Sequence, residues 1–244
     1  MNDNLLQRLK ELNMNGVAAH WSEVAGAEWV KQVVQWEESE RGDRSLQRRL
    51  RDAKLGRFKI LADFDWTRLG RVDRGTISEL MSLSFLDNAT NVVLSGPSGV
   101  GKTTLAKNVA HQALVSGHSV VFRSASEMLE ELAAIDVYSA LRRRLRKYTG
   151  PDLLVIDQLG FVAYSNRHAD LLFEVISQRY ERKSTIVTTN KPFREWSDVF
   201  PSSGCVVALV DRLLHHSEVI SIEAESWRLK EAGDDKHAKV EKAR

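Results

Sequence analysis

The sequence predicts an α/β fold in which helices cover both faces of a parallel β-sheet, preceded by a small all-helical domain. Two observations predict it. From residue 91 onward, short apolar runs rich in β-branched residues alternate with longer segments of helical periodicity, whereas residues 1–87 carry helical periodicity almost throughout. Short, continuously apolar runs separated by helices are typical of parallel strands that are buried on both faces.

Length and composition bound the class of protein. The chain has 244 residues, which suits one to two domains, and its 35 Lys and Arg against 33 Asp and Glu leave a net charge of +2. A nucleic-acid surface therefore has to come from local clusters of basic residues. The single cysteine, Cys205, excludes an intrachain disulfide and fits a reducing compartment. We find neither a signal peptide nor an apolar run that could span a membrane, so we expect a cytoplasmic protein without a membrane partner.

Three apolar faces define the helices of the N-terminal domain, each with spacings of three and four residues. The faces consist of Leu5, Leu6, Leu9 and Leu12; of Trp29, Val30, Val33 and Val34; and of Leu46, Leu50 and Ala53. The stretch FKILADFDW follows, and we interpret Phe58, Phe64 and Trp66 as a plug between two domains. The predicted domains are residues 1–66 (helical), residues 67–229 (α/β) and residues 230–244, a charged tail that we expect to be disordered.

The α/β part contains five predicted strands and the helices between them. The strands are residues 92–95, 119–123, 153–157, 185–189 and 219–222. The helices are residues 102–116, 126–134, 137–147, 168–182 and 206–216, and Gly117 is a natural stop after the first of these. Ligands of open α/β sheets bind at the carboxyl ends of the strands, so polar residues there are the first candidates for a site.

A phosphate-binding loop follows the first strand and opens the first helix of the α/β part. It satisfies G-x-x-x-x-G-K-[ST] in full with Gly96, Pro97, Ser98, Gly99, Val100, Gly101, Lys102 and Thr103, followed by Thr104. The glycines let backbone N–H groups curl around the β-phosphate, and the helix N-terminus adds partial positive charge. Lys102 supplies a charge to the β- and γ-phosphates, and the Thr103 hydroxyl a ligand for Mg²⁺. The sequence therefore predicts a site for ATP with Mg²⁺.

The predicted strand 153–157 ends in Asp157, which is placed to hold Mg²⁺. The next residue is Gln158, where ATPases of this general kind usually carry Glu or Asp to activate the attacking water. A neutral amide can hydrogen-bond a water but cannot take its proton. Two interpretations stay open: a natural feature of a slow ATPase, and an engineered Glu→Gln change that traps bound ATP. Both predict strong ATP binding with weak turnover.

Two polar residues extend the predicted catalytic site. Asn190 directly follows strand 185–189 and is a candidate to hydrogen-bond the γ-phosphate or its water; a turn-forming asparagine is the alternative. Arg212 lies near the end of a helix and is a candidate to reach the γ-phosphate of a neighbouring subunit. An ordinary surface ion pair with Asp211 is the alternative for this arginine.

Four further residues have weaker signals. Arg179 and Arg228 are candidates for the same electrostatic neighbourhood around the nucleotide. The adjacent pair His215 and His216 lacks convergent ligands at metal spacing, so we interpret it as structural and expect no zinc site.

Two stretches are locally basic and are candidates for contacts with nucleic-acid phosphates. Residues 41–60 carry eight basic side chains against Asp43 and Asp52, and residues 142–147 are denser still. A solvated helix face is the alternative for each stretch. The predicted DNA-binding residues are Arg48, Arg49, Arg51, Lys54, Arg57, Arg142, Arg143, Arg144 and Arg146.

These motifs closely resemble those of the IstB family, ATP-binding helper proteins of bacterial insertion sequences that belong to the AAA+ superfamily beside DnaC-type helicase loaders. The resemblance covers about residues 5–230. Beyond the nucleotide motifs it rests on RRLRDAKLGRFKILADFDW, LLFEVISQRYERKSTIVTTNKPFREW and ALVDRLLHHSEVISIEAESWRLKE. It implies an AAA+ P-loop NTPase core with little or no C-terminal lid, behind a small helical domain.

The resemblance also implies residue roles. Residues 96–103 match the Walker A motif, Asp157 the Walker B aspartate, Asn190 the sensor asparagine and Arg212 the trans-acting arginine finger. Arg228 is similar to the arginine of the family's GESYR-like stretch. Residues 124–147 lie where the helicase loaders carry an extra helical element that touches DNA. Gln158 departs from the family's carboxylate, which puts turnover in doubt and leaves nucleotide binding intact.

The function that the resemblance implies is ATP-dependent assembly of a homo-oligomer on duplex DNA. The assembly delivers a target to a partner transposase of the IstA type and stimulates it. We therefore predict an ATPase, impaired by Gln158, that acts as a transposition helper. Two alternatives stay open: a DnaC-like replicative helicase loader, which a single-strand preference would favour, and a nucleotide-locked scaffold without useful catalysis.

Overall fold

The computed structural model describes residues 2–61, 74–200 and 203–222. The chain divides into two compact units between Arg51 and Asp52. The predicted domain boundary after residue 66 and the predicted tail 230–244 lie outside the described residues, as do Phe64 and Trp66 of the proposed plug.

The N-terminal unit consists of helices, as predicted. These are α1 (Asn2–Glu11), α2 (Asn15–Ala19), α3 (Trp21–Val24) and α4 (Glu28–Ala53). A small apolar core holds them together, built from Leu5, Leu9, Leu12, Val30 and Val34. The first predicted apolar face is therefore confirmed, but Trp29 of the second face is 51% exposed.

The second and third predicted helical segments form one continuous helix, α4, so the prediction of two separate helices was wrong. Gly42 near its middle lowers helix propensity. Two ion pairs at i,i+4 spacing flank this glycine: Glu37 with Arg41 (2.6 Å) and Glu40 with Arg44 (2.9 Å). Such pairs stabilise a helix by a few tenths of a kcal/mol each, which offsets part of the cost of the glycine.

The second unit begins with short helices and continues as an α/β domain. Its helices are α5 (Arg74–Ser82), α6 (Ser84–Asp87), α7 (Lys102–Val115), α8 (Ala125–Ala133), α9 (Tyr138–Thr149), α10 (Asn166–Arg179), α11 (Trp196–Val199) and α12 (Ser203–His215). Its strands are β1 (Asn91–Ser95), β2 (Val120–Ser124), β3 (Leu153–Leu159), β4 (Ser184–Thr189) and β5 (Ser217–Ser221). The ends of the five predicted strands and of the five predicted helices lie within three residues of these bounds.

The five strands form one parallel sheet in the order β2-β3-β4-β1-β5, which confirms the predicted fold class. The interior of the sheet is apolar on both faces: Val93, Ile156 and Val187 are fully buried on one face, and Val92, Val155 and Ile186 on the other. Because all strands run the same way, their carboxyl ends lie at one edge. Among the described residues, no helix is both long and apolar enough to cross a bilayer.

Candidate nucleotide site

The predicted phosphate-binding loop connects β1 to α7 at the carboxyl edge of the sheet. All three of its glycines have a positive φ, which disfavours other residues. Gly96 has φ +150°, and a Cβ at this position would lie 2.3 Å from the carbonyl oxygen of Ile222. Gly101 has φ +100° and begins α7. The loop therefore places backbone N–H groups and the N-terminus of a 14-residue helix around one cavity.

Lys102 points its ammonium group into the loop. Its Nζ donates hydrogen bonds to the carbonyl oxygens of Gly96 (2.7 Å) and Pro97 (2.6 Å), and the residue is only 6% exposed. A lysine held this way is a point charge inside a ring of backbone dipoles. That is the arrangement that recognises the β- and γ-phosphates in P-loop proteins.

A hydrogen-bonded chain of three side chains joins the loop to the sheet. The Thr103 hydroxyl donates to Asp157 Oδ1 at 2.9 Å, and the hydroxyl of Thr188 on β4 donates to the same oxygen at 2.6 Å. Asp157 is 5% exposed. Hydroxyl and carboxylate oxygens are ligands that Mg²⁺ prefers, so Thr103 and Asp157 fit the predicted metal role.

The sequence analysis missed Thr188. Its hydroxyl also accepts a hydrogen bond from the backbone N–H of Gln158 at 2.9 Å, so it fixes both residues at the end of β3. In the sequence, Thr188 is one β-branched residue in the strand STIVTT, where a threonine is ordinary.

Gln158 has an unusual backbone conformation. Its φ is +62°, and the register between β3 and β4 shifts between Ile156 and Leu159. This irregularity turns the side chain out of an otherwise buried strand. It then lines a cavity of about 160 Å³ together with Lys102 and Thr103. Ser98, Gly99, Gly101, Thr104, Phe161 and Thr188 complete the lining.

Asn190 lies directly after β4, at the same edge of the sheet. Its Oδ1 is buried, and no group in the described part of the chain hydrogen-bonds it. A buried amide oxygen without a partner is costly to a protein. The observation fits the role predicted for this asparagine, which is to act on a ligand, although Asn190 is not among the residues that line the cavity beside Lys102 and Thr103.

Arg212 does not line the cavity of its own chain. It lies on α12, where its guanidinium stacks over the ring of Phe173 at 4.5 Å and donates to the Ser177 hydroxyl, both on α10. The side chain is half-buried. Residues of α10 therefore hold the Arg212 side chain, and the alternative of an ion pair with Asp211 is not what positions it.

Arg179 is not part of the nucleotide neighbourhood, and the prediction that it belongs there was wrong. It lies at the opposite, amino edge of the sheet and is 1% exposed. It donates to Thr185 Oγ1 (3.0 Å) and to four backbone carbonyls. Burial lowers the pKa of Arg179 to about 9, against the opposing charge of Asp152. The charge of Arg179 suggested a place near the nucleotide, but its role is structural. Arg228 lies outside the described residues.

We expect Arg179→Leu to destabilise the fold by roughly 3 kcal/mol, because it leaves buried carbonyl groups without donors. For a chain of this size that corresponds to a loss of about 10 °C in Tm, measured by thermal unfolding. Arg182→Leu, a matched change at an exposed arginine three residues later, should leave Tm within about 2 °C of the parent. Equal Tm values for both variants would contradict the structural role.

The second basic stretch lies on α9 and is partly neutralised. Arg144 and Lys147 pair with Glu131 at 2.6 and 2.7 Å. Burial raises the pKa of Glu131, but hydrogen bonds from Lys147, Tyr148 and Arg144 outweigh it and hold the pKa at about 2. Arg142, Arg143 and Arg146 remain exposed to solvent.

One groove collects several of these cations. Arg142 and Arg146 line it together with Arg182 and Lys183, which follow α10. Lys183 pairs with Asp152. Sequence reasoning missed Arg182, because 36 residues separate it from Arg146 and only the fold joins them.

The first basic stretch also contains both cations that have partners and cations that are exposed. Arg41 and Arg44 are held in the ion pairs of α4 described above, and Arg49 donates to the Ser45 hydroxyl at 2.7 Å. Arg48, Arg51, Lys54 and Arg57 are exposed. The stretch therefore offers fewer available charges than its composition indicates.

The loop, the Thr103–Asp157 contact and the strand order together define a nucleotide-binding AAA+ protein. Solved structures with this fold include DnaI, with a TM-score of 0.57 and 20% identity over 67% of this chain and 90% of that chain. The DnaC helicase loader has a TM-score of 0.52 and 22% identity over 70% of this chain and 97% of that chain. At these identities the likeness shows the fold alone.

The chain belongs to the family of IstB-like ATP-binding proteins, whose profile matches residues 3–234. A protein of insertion sequence IS5376 in Geobacillus stearothermophilus, named as ATP-binding, is 33% identical over 95% of this chain and 96% of its own length. The corresponding protein of IS21 in Pseudomonas aeruginosa is 36% identical over 84% and 77%. The resemblance to the IstB family found in the sequence is confirmed.

Proposed function

We propose that the protein is an ATP-dependent transposition helper, which assembles on duplex DNA and delivers it to a transposase of the IstA type. The observation that carries the proposal is the contact between Thr103 and Asp157 beside the phosphate loop, in a chain of the IstB-like family. The phosphate loop and these two residues would bind a nucleoside triphosphate, whose γ-phosphate would act as an assembly signal.

Nucleotide binding would rest on the loop residues 96–104, six of which line the cavity, with Lys102 at the β- and γ-phosphates. Thr103 and Asp157 would hold Mg²⁺, which neutralises phosphate charge when it is bound. Thr188 positions the Asp157 carboxylate through its hydroxyl. Arg228 would add a charge to the same site.

Hydrolysis would involve Asn190 and Gln158. The unpaired Oδ1 of Asn190 supports a contact to the attacking water, and its amide N–H₂ group can donate to the γ-phosphate. The Gln158 amide lies in the cavity and can hydrogen-bond the same water without taking its proton. The protein would therefore be a slow ATPase that stays loaded with ATP.

Assembly would depend on Arg212 reaching the γ-phosphate of a neighbouring subunit. Two observations support the role: Arg212 is absent from the lining of its own cavity, and Phe173 and Ser177 hold its guanidinium in a fixed position. A preorganised arginine loses less side-chain freedom when it binds a phosphate. ATP then favours the assembled state by as much as it binds that state more tightly.

DNA binding would use cations from the two basic stretches. On α9 these are Arg142 and Arg146, which share a groove with Arg182; Arg143 is exposed as well. Arg144 is a weaker candidate, because its pair with Glu131 competes with phosphate. In the first stretch, the candidates are Arg48, Arg49, Arg51, Lys54 and Arg57, all within the proposed helical domain of residues 1–66.

The test is velocity sedimentation of the chain with a labelled duplex of about 50 base pairs, in MgATP and separately in MgADP. We expect a large complex with ATP only. Arg212→Ala should bind ATP with the parent's affinity yet remain small, because the contact between subunits is lost. Arg194→Ala, a matched change at an arginine whose side chain is 84% exposed, should assemble like the parent.

Three outcomes would contradict parts of the proposal. Assembly of Arg212→Ala equal to that of the parent would rule out the arginine contact between subunits. Equal complexes in ATP and ADP would rule out the nucleotide switch. A preference for single-stranded DNA with co-purification of a replicative helicase would favour a loader of the DnaC type instead.

A further inference from the structure

Three metal-ligating side chains converge at the amino edge of the sheet, opposite the phosphate loop, so the prediction that His215 and His216 lack convergent ligands was wrong. Glu181 follows α10, His215 is the last residue of α12 and His216 follows it. One ligand atom of each of the three residues lies within 4.8 Å of the other two. Glu181 Oε1 is 3.2 Å from His216 Nε2. The backbone carbonyl of His216 accepts a hydrogen bond from the N–H of Asn91 at 2.7 Å, so the start of β1 anchors this histidine.

The backbone at Glu181 is strained. Tyr180 has φ −50° and ψ 126°, Glu181 has φ +55°, and the N–H of Arg182 donates to the Arg179 carbonyl at 3.0 Å. These values match a type II turn, whose third position normally takes glycine or asparagine. A glutamate at this position has a conformational cost, and such strain persists where the side chain has a role.

The small stabilisation from an exposed ion pair does not explain why a strained backbone persists at Glu181. The side chains of Glu181 and His216 are 53% and 51% exposed. Exposed pairs contribute little to stability because water screens them and ordering two side chains costs entropy. A ligand that uses all three groups would give the carboxylate a stronger reason to stay in this turn.

We propose that Glu181, His215 and His216 bind one divalent transition-metal ion of the Zn²⁺ class. Two imidazole nitrogens and a carboxylate oxygen suit Zn²⁺, whereas Mg²⁺ prefers oxygen ligands alone. Ligand atoms around a tetrahedral Zn²⁺ lie roughly 3.3 Å apart, close to the separation of Glu181 Oε1 and His216 Nε2. This site is therefore separate in place and chemistry from the predicted Mg²⁺ site at Thr103 and Asp157.

The ring nitrogen of His215 that faces Glu181 is Nδ1, at 3.9 Å from Glu181 Oε1. The Tyr180 hydroxyl lies 2.6 Å from the same nitrogen, so a bound ion would take the place of this hydroxyl at Nδ1. A bound ion would join the turn after α10 to the end of α12, one helical turn beyond Arg212.

The test is a titration of the tag-free full chain with Zn²⁺ at pH 7.5 against a chromophoric chelator. We expect one equivalent to bind with a Kd on the order of 1 μM or tighter. Glu181→Gln and His216→Ala should each weaken binding by about tenfold or more. His20→Ala is the matched control, because His20 forms an exposed pair with Glu23 at 2.9 Å, and it should retain the parent's affinity.

A spectroscopic measurement detects metal coordination directly and does not depend on the stability of each variant. Co²⁺ bound by nitrogen and oxygen ligands gives a visible absorption band, which the parent and His20→Ala should show and Glu181→Gln should lose. All three substituted positions are exposed, so unchanged circular dichroism is expected for each variant. Absence of Zn²⁺ binding at 100-fold higher concentration (about 100 μM), or equal affinity in Glu181→Gln, His216→Ala and the parent, would overturn the site.

Discussion

We expect Lys102→Ala to lose ATP affinity by about a hundredfold or more and to lose ATP-dependent assembly with it. The Lys102 ammonium is nearly buried among backbone carbonyls, with two hydrogen bonds of 2.6 and 2.7 Å. A charged donor in such a place interacts with phosphate far more strongly than one in water. Alanine leaves the loop with its backbone dipoles alone.

The measurement is equilibrium binding of a fluorescent ATP analogue with Mg²⁺. Lys107→Ala is the matched control, since Lys107 lies on the same helix but outside the cavity, where its Nζ is 3.4 Å from the carbonyl of Arg57. Binding by Lys107→Ala should equal that of the parent. If Lys102→Ala also bound ATP with the parent's affinity, the cavity at the loop would not be the nucleotide site.

The fold was predictable because burial imposes a pattern on the chain. Strands β1, β3 and β4 are covered on both faces, so β1 and β3 consist mostly of apolar residues and β4 of β-branched residues. The ends of the helices and strands were less predictable. Helix α10 stops at Arg179, three residues before its predicted end, because Tyr180 and Glu181 form a turn that apolar periodicity does not reveal.

The candidate site was only partly predictable, and the reason is sequence separation. The phosphate loop is contiguous, so its spacing alone identifies Lys102 and Thr103. Thr188 contacts Asp157 from another strand, 31 residues away, and nothing in its neighbourhood distinguishes it from a core threonine. The same holds for Glu181, which lies 34 residues before His215 in sequence. Contacts between residues of different helices and strands can be identified only in the folded structure.

The charge of a residue was the least reliable sequence feature for predicting its role. Arg179 carries the same formal charge as Arg212, yet one is buried among backbone carbonyls and the other stacks on an aromatic ring. Sequence does not record whether an arginine has partners. Burial and hydrogen bonds separate a structural cation from one that can reach a ligand.

We expect Gln158→Glu to raise the rate of ATP hydrolysis by about a hundredfold or more, which is the usual contribution of a positioned general base. The backbone at residue 158 already projects its side chain into the cavity beside Lys102 and Thr103. Glutamate has nearly the same shape as glutamine, so the strained φ of +62° and the hydrogen bond to Thr188 should persist. The variant then changes one property, the ability to accept a proton from water.

The measurement is release of phosphate under saturating MgATP and duplex DNA, with ATP affinity determined in parallel. Gln158→Ala is the control: it removes the amide but adds no base, so it should turn over no faster than the parent. A gain in Gln158→Glu with unchanged ATP affinity would show that the amide limits the chemical step, whether it is natural or engineered. Equal rates for Gln158→Glu and the parent would mean that proton transfer at this position does not limit turnover, and that release of the assembled state sets the rate instead.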